Sequence, residues 1–149
     1  MTKLKKHPNI LNSVYSNPDG IMKHAGKSES IMYNIFELAE NGPLSSYIRV
    51  TGPIEEELVR FMFLQLSDAV RHMHLKLLAH LDLKLENILL DKYFNIKLAD
   101  LGVTHQLNKN QNQCSHRRGT IYYMAPEVTD LDKEDEYDAY KADIYSLGV

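Results

Sequence analysis

Three short motifs, spread over residues 80 to 127, place the strongest constraint on the fold of this chain. The first runs from His80 to Leu90, the second is Ala99-Asp100-Leu101-Gly102, and the third is Met124-Ala125-Pro126-Glu127. Each motif alone has an ordinary interpretation, because Asp82 and Asn87 can be solvated loop residues and glycine favours the turn that ends a strand. Their joint order and spacing instead predict one loop system that holds two carboxylates, a lysine and an amide.

In that order and spacing, the motifs resemble the catalytic loop, the metal-binding triplet and the end of the activation segment of eukaryotic protein kinases. The resemblance implies an α+β fold, protein-kinase-like and two-lobed, truncated at both ends, with a mainly helical large lobe and a remnant small-lobe sheet. It covers residues 1–149 as a partial kinase domain. Within it, 1–38 form the remnant small lobe, 39–43 the hinge and 44–149 an incomplete large lobe.

The resemblance implies catalytic roles for five side chains. Asp82 matches the carboxylate on the acceptor side, and Lys84 matches the cation beside the transferring phosphate. Asp100 and Asn87 match the oxygen ligands of Mg²⁺, a cation that prefers such ligands. Thr120 and Lys84 together are typical of serine/threonine kinases rather than tyrosine kinases. The implied reaction transfers the γ-phosphate of ATP to a serine or threonine hydroxyl of a protein substrate.

The predicted hinge supplies the implied adenine contacts. By resemblance, the carbonyl of Glu37 and the amide and carbonyl of Ala39 face the adenine edge, while Phe36 lies behind the base. Leu89 matches the apolar residue beneath the adenine ring. Without the resemblance, the same four residues are typical of strands and cores, and that alternative stays open.

Several positions depart from the kinase pattern. Leu81 replaces an arginine that would pair with a phosphorylated activation segment. Leu85 and Leu101 replace a proline and a phenylalanine, and both keep apolar character. The glycine-rich loop, the phosphate-binding lysine and the glutamate that pairs with it have no counterpart in this sequence. Three alternatives stay open: an active kinase, a pseudokinase or binding fragment without phosphoryl transfer, and a piece of a longer active kinase.

Composition excludes some classes of function without selecting one. The chain has 149 residues, of which 44% are hydrophobic and 25% charged, and its net charge is -3. Because it has neither extreme charge nor a basic stripe, we expect no nucleic-acid partner. Arg60 and Gln65 interrupt the most apolar segment, so we expect no membrane segment. Cys114 is the only cysteine, which favours an intracellular and cytoplasmic location. The sequence predicts no oligomeric state.

Hydrophobic patterns predict the elements around the motifs. Residues 10–15 and 31–38 are predicted strands, and the Pro18-Asp19-Gly20 turn signal predicts a loop over residues 16–30. Residues 54–75 have the three-four spacing of a helix. Its predicted buried face comprises Leu58, Met62, Leu66, Ala69, Val70 and Met73, widened by Phe61, Phe63 and Leu64. Two apolar runs, 88–90 and 96–99, predict a short hairpin.

Overall fold

A long β-hairpin opens the regular structure of the chain. The computed structural model describes residues 6–109, 111–132 and 135–149. Strand β1 (Ser13–His24) pairs antiparallel with strand β2 (Lys27–Phe36). Between them, Ala25 and Gly26 both have positive φ, at 50° and 77°. Two such residues form the tight turn whose twist matches that of the flanking strands.

This hairpin shows that the predicted loop over residues 16–30 is wrong. The turn signal lies inside β1, where the pairing register shifts between Asn17 and Gly20. Pro18 is tolerated at such an irregularity because no ladder hydrogen bond from its nitrogen is needed there. Gly20 is suited to its position because the ring of Tyr33 occupies the space that a Cβ atom would need. The signal therefore marks a bulge, and the chain reverses only after His24.

A small antiparallel sheet contacts the segment that precedes the hairpin. Its strand order is β3 (Gly42–Pro43), β5 (Ile88–Leu90) and β6 (Ile96–Leu98). The pairing of β5 with β6 confirms the hairpin predicted in this region. The backbone of Leu98 donates to the carbonyl oxygen of Asn9 and accepts from the N–H of Leu11, both at 2.8 Å. Ile10, between them, is 2% exposed and belongs to the main apolar core.

Helix α2 provides one side of that core. It spans Glu56–Leu75, close to the predicted range, and follows the shorter helix α1 (Leu44–Thr51). Its buried residues are Met62, Leu66, Ala69, Val70 and Met73. Leu58, predicted to lie on the buried face, is 45% exposed, so that part of the prediction is wrong. The predicted widening of the face is also wrong, because Phe61, Phe63 and Leu64 are 53%, 44% and 64% exposed. Helical spacing shows which residues share a face, but only a packed neighbour buries them.

The remaining elements surround the loop that contains the first motif. The paired strands are β4 (Leu78–Ala79) with β7 (His105–Gln106), and β8 (Gln113–Cys114) with β9 (Tyr137–Asp138). The later helices are α3 (Pro126–Thr129) and α4 (Ala139–Gly148). Short 3₁₀ turns lie beside the motifs at Leu85–Asn87, Leu101–Val103 and Ile121–Tyr123. Helices and antiparallel sheets together confirm the α+β class.

No helix within the described ranges combines the length and the apolar character that crossing a bilayer requires.

Candidate active site

A buried carboxylate on α4 holds the loop that contains Asp82. Asp143 is 1% exposed and accepts hydrogen bonds from the backbone N–H groups of His80, at 2.8 Å, and Leu81, at 2.7 Å. The Nε2 atom of His74, on α2, lies 2.8 Å from the same carboxylate. A buried carboxylate that lacked such partners would be strongly destabilising. These contacts therefore both satisfy Asp143 and fix the backbone of the loop.

Sequence reasoning missed this role of Asp143. The one available signal was a carboxylate between Ala142 and Ile144 on an apolar helix, because acidic residues are rarely buried without partners. The partners themselves lie 62 to 69 positions away along the chain. A local pattern can flag such a residue but cannot identify what it contacts.

The ring of His80 joins the first motif to the second. Its Nε2 atom lies 3.0 Å from the carbonyl oxygen of Ala99, which can only accept, so this nitrogen bears the proton. Its Nδ1 atom accepts from the backbone N–H of Asp82 at 3.2 Å. Burial lowers the pKa of His80, although the negative charge of Asp143 opposes that shift. A neutral ring with this tautomer therefore links the two backbones.

Three side chains form a closed triangle of hydrogen bonds. The hydroxyl of Thr120 donates to Oδ1 of Asp82 at 2.7 Å. The Nζ atom of Lys84 donates to Oδ2 of Asp82 at 2.8 Å and to the Thr120 hydroxyl oxygen at 2.9 Å. Each of the three bonds has at least one charged partner, and such hydrogen bonds are shorter and stronger than those between neutral groups. The triangle thus joins the catalytic-loop motif to the segment just before the third motif.

These contacts reinforce the charges of both ionisable groups. Burial opposes ionisation of Asp82, but hydrogen bonds from Lys84, Thr120 and Asn87 outweigh it, so the pKa of Asp82 lies below its usual value. The bond from Lys84 to Asp82 raises the pKa of Lys84 against the opposing effect of burial. Asp82 is therefore an ionised acceptor, which suits the orientation of a hydroxyl better than early removal of its proton.

Asn87 contacts this triangle through Asp82, and the charge of Asp100 acts on Lys84. The Nδ2 atom of Asn87 donates to the backbone carbonyl of Asp82 at 2.9 Å and to Oδ2 at 3.2 Å, so its amide oxygen is left as an acceptor. The backbone oxygen of Asn87 accepts from Ala99, which leads into Asp100. Asp100 is exposed, has a φ of 60°, and accepts at Oδ1 from the N–H of Gly102.

This donor set fits Mg²⁺ that arrives with phosphate groups. No group of three or more His, Cys, Asp or Glu that could hold a metal occurs in the described part of the chain. Mg²⁺ does not require such a group, because it commonly binds one or two carboxylates together with substrate phosphates. The exposed carboxylate of Asp100 is one such ligand, and the amide oxygen of Asn87 is a second oxygen of the kind that Mg²⁺ prefers.

The four residues predicted to contact adenine lie in two segments joined by strand pairing. Phe36 ends β2 and is 46% exposed, and Glu37 and Ala39 follow it in the segment that leads to β3. Leu89, in the middle of β5, is directly opposite Pro43 of β3. The pairing of β3 with β5 thus brings the predicted hinge to the strand that follows the catalytic loop. The roles of the four residues stay predictions.

Leu81 is buried in an apolar cluster beside the activation segment. It is 6% exposed, has a φ of 63°, and belongs to the same cluster as Leu107 and Val128. Gly119 has a φ of 106°, and a Cβ atom there would collide with the carbonyl oxygen of Leu81. Residue 81 therefore supplies packing and no cation, and Gly119 permits the close approach of two backbones.

Comparison with known proteins supplies the family. A model of the protein kinase domain matches residues 1–149. The chain is 36% identical over 152 residues to the serine/threonine-protein kinase CHK1 of Saccharomyces cerevisiae, covering 99% of this chain and 27% of that protein. It is 36% identical over 150 residues to the CBL-interacting serine/threonine-protein kinase 7 of Arabidopsis thaliana, covering 100% and 32%.

A serine/threonine kinase from mouse is also similar to the chain over its full length. The serine/threonine-protein kinase SIK1 of Mus musculus is 34% identical over 149 residues, which cover 100% of this chain and 18% of that protein. The chain spans less than a third of the length of each of these relatives. The match over residues 1–149 and the identities above 30% show that this chain belongs to the protein kinase family.

Proposed function

We propose that residues 1–149 are part of the catalytic domain of a protein serine/threonine kinase that transfers the γ-phosphate of ATP to a hydroxyl of a protein substrate. The observation behind this proposal is the triangle of Asp82, Lys84 and Thr120, which Asn87 contacts through Asp82 and whose lysine is influenced by the charge of Asp100. Phosphoryl transfer needs positioned charges more than covalent chemistry, and these groups supply both signs of charge within one loop system.

In this mechanism, Asp82 accepts the hydrogen bond of the incoming substrate hydroxyl and receives its proton as that oxygen bonds to the γ-phosphorus of ATP. The bond from the γ-phosphorus to the bridging oxygen of the β-phosphate breaks, and ADP leaves with that oxygen. Lys84 neutralises negative charge on the transferring phosphoryl group, and its raised pKa keeps it cationic at neutral pH. Asp100 and Asn87 would hold Mg²⁺, which when bound supplies charge neutralisation to the nucleotide phosphates. Thr120 fixes the Asp82 carboxylate through the bond to Oδ1.

The nucleotide base would lie at the segment between β2 and β3. The carbonyl of Glu37 and the amide and carbonyl of Ala39 would bond the adenine edge, with Phe36 behind the base and Leu89 beneath it. The pairing of β3 with β5 supports this assignment, because it brings that segment to the strand that contains Leu89. Lys84 and Thr120 support serine or threonine as the acceptor, and the proposed partner is therefore a protein substrate.

A chimeric kinase tests the proposal. Residues 1–149 replace the matching segment of the 36% identical yeast kinase, and transfer of labelled γ-phosphate from Mg²⁺–ATP to a generic basic protein is measured. We expect transfer by the chimera, and a loss of at least about 100-fold in the Asp82→Asn variant. Asp19→Asn, an exposed carboxylate on β1, serves as the matched control.

The outcomes separate the enzyme from a binding protein. Transfer that is equal in the parent, Asp82→Asn and Asp19→Asn chimeras would contradict the proposed mechanism. Nucleotide binding without any transfer would instead favour the alternative, a pseudokinase that keeps the recognition surfaces of the fold.

A further inference from the structure

Three polar side chains from separate parts of the chain meet beside the predicted hinge. Asn12 precedes β1, Glu37 follows β2, and Lys97 is the central residue of β6. Oε1 of Glu37 accepts from the backbone N–H of Asn12 at 2.8 Å and from its side-chain amide at 2.7 Å. The Nζ atom of Lys97 lies 3.2 Å and 3.1 Å from the two carboxylate oxygens.

Backbone hydrogen bonds also join two members of this cluster. The N–H of Glu37 donates to the carbonyl oxygen of Asn12 at 3.0 Å, so these two residues bond each other in both directions. The side chains of Lys97 and Glu37 are 12% and 31% exposed. An ion pair that is largely shielded from water is less screened than a surface pair, and removal of one partner leaves the other poorly solvated.

The charge state of the cluster agrees with this geometry. Burial opposes ionisation of Glu37, but the hydrogen bonds from Asn12 and the bond and charge of Lys97 outweigh it. The pKa of Glu37 therefore lies below its usual value, and the carboxylate is ionised at neutral pH.

The cluster lies on the side of the sheet that the proposed nucleotide site uses. Lys97 is directly opposite Leu89 in the pairing of β5 with β6, and residues opposite each other point to the same face of a sheet. Glu37 is thus held by a lysine that neighbours the predicted adenine-contacting leucine. The segment 37–41 is held at both ends. Glu37 is held by the cluster, and the backbone N–H of Asn41 donates to the carbonyl oxygen of Leu90 at 3.0 Å.

We propose that Asn12, Glu37 and Lys97 form a hinge latch, which ties the β1–β2 hairpin to β6 and holds residues 37–41 in one conformation. Lys97 is then a positioning residue for the backbone groups that meet adenine, and this consequence rests on the proposed function. A segment ordered before the ligand arrives binds more tightly, because less conformational freedom is lost on binding.

Amide hydrogen exchange of the 149-residue chain tests the latch without any nucleotide. Lys97→Met keeps an unbranched apolar side chain, one atom shorter, but removes the charge, and Lys97→Arg keeps the charge. Lys92→Met is the matched control, because Lys92 is exposed on the turn of the same hairpin. In peptides covering residues 9–13 and 36–41, we expect exchange at least about fivefold faster in Lys97→Met, as for a loss of roughly 1 kcal/mol of local stability.

The controls define the outcome that overturns the latch. In the same peptides, we expect the exchange rate of Lys97→Arg to stay within about twofold of the parent rate, because the charge is kept. The exchange rate of Lys92→Met should be unchanged. A fivefold change in rate corresponds to about 1 kcal/mol. Exchange in Lys97→Met equal to that of Lys92→Met would reject the latch, whether or not the chain binds nucleotide.

A second measurement tests the positioning role. In the chimeric kinase, we expect Lys97→Met to raise KM for ATP about fivefold or more while kcat changes by less than about twofold, because the lysine acts on binding and not on the reacting groups. Equal KM values in a transferring parent and the Lys97→Met variant would reject that role. A parent chimera that binds no nucleotide would reject the proposed function and with it the positioning role, while the exchange data still decide the latch.

Discussion

The oxygens of Asp82 differ in how many hydrogen bonds they already accept. Oδ2 accepts from both Lys84 and Asn87, whereas Oδ1 accepts from Thr120. Because each carboxylate oxygen has two lone pairs, Oδ1 keeps the larger remaining capacity. A substrate hydroxyl would therefore approach Oδ1, next to the Thr120 hydroxyl.

Asp100 and Asp82 should fail in different ways when neutralised. In the chimeric kinase, Asp100→Asn should weaken Mg²⁺–nucleotide binding by at least about tenfold, or 1.4 kcal/mol, because a carboxylate ligand is lost. An asparagine oxygen can still accept the bond from Gly102, so the local backbone is kept. Asp82→Asn should lower phosphoryl transfer far more than binding. Calorimetric titration with a non-hydrolysable nucleotide measures this, and equal affinity in the parent and Asp100→Asn would overturn the assignment.

The neutral ring of His80 makes stability depend on pH. Protonation of Nδ1 would break its bond from the N–H of Asp82, and burial already lowers the pKa of His80. Below a pH of about 6.5, the unfolded chain takes up this proton and the folded chain does not, so His80 lowers stability as the pH falls. Its contribution is fully retained above that pH. NMR titration of the ring should give a midpoint below the ordinary histidine value of about 6.5, and a midpoint at or above that value would contradict this.

At the residue scale, much of the candidate site could be predicted because its groups lie in short motifs. Asp82, Lys84 and Asn87 lie within six positions of one another, and their chemistry is read from residue types. Asp143 and Lys97 could not be found in that way. Both act through contacts with residues about 60 positions away, and nothing in their local sequence identifies those partners.

At the scale of elements, position 81 lacks the cation that, by the kinase pattern, would pair with a phosphate on the activation segment. Leu81 offers no donor, and Nη1 of Arg118 donates to the carbonyl of Val103 at 2.9 Å. Ser115 is exposed, with its hydroxyl 3.3 Å from Nδ1 of His116. A new phosphate orders a segment through charge-assisted hydrogen bonds, so phosphorylation at Ser115 would gain little here.

We therefore expect phosphoryl transfer that is independent of activation-segment phosphorylation. In the chimeric kinase, phosphatase treatment or Ser115→Ala should change the rate by less than about twofold, while Thr120→Ala, which breaks the triangle, should lower it at least about tenfold. The rates are measured with the same basic protein substrate. A rate of phosphoryl transfer that is tenfold lower in the Ser115→Ala variant would contradict this expectation.

The elements that the sequence predicted best are those with a strong local period. Helix α2 and the β5–β6 hairpin follow from apolar spacing, which is a property of the segment itself. The β1–β2 hairpin was missed because Pro18 and Gly20 indicate a turn, whereas pairing with β2 absorbs them as a bulge. The outer face of α2 was misjudged for a related reason: burial depends on a second element, which the period of the first does not reveal.

At the scale of the whole molecule, large apolar surfaces are exposed. On the β1–β2 hairpin, Val14, Ile21 and Met32 are 70%, 70% and 75% exposed. A cavity of about 550 Å³ lies between α1, α2, the catalytic loop and the end of α4, and Leu44, Phe63 and Leu147 are among its apolar lining. Apolar patches of this kind are uncommon on isolated soluble domains. Apolar area that stays in water does not contribute to the free energy of folding.

The 149-residue chain by itself should therefore melt broadly and show negligible kinase activity. A two-stranded sheet without a covered face is marginal in water, and Ile144, at 57% exposed, lacks packing on α4. Scanning calorimetry should give a weakly cooperative transition, with a calorimetric enthalpy that differs from the van't Hoff value. A sharp transition, together with robust phosphorylation of a basic protein, would show that the exposed surfaces matter less than we infer.

The hydrogen bonds of Asp143 to the loop affect which side chains position 81 can have. Its carboxylate bonds the peptide N–H groups of His80 and Leu81, which every residue except proline possesses. Neither bond to Asp143 therefore uses the side chain at position 81. With an arginine or a leucine there, the same two backbone contacts can form, so the loss of a cation that would answer a regulatory phosphate need not disturb the anchoring of the loop.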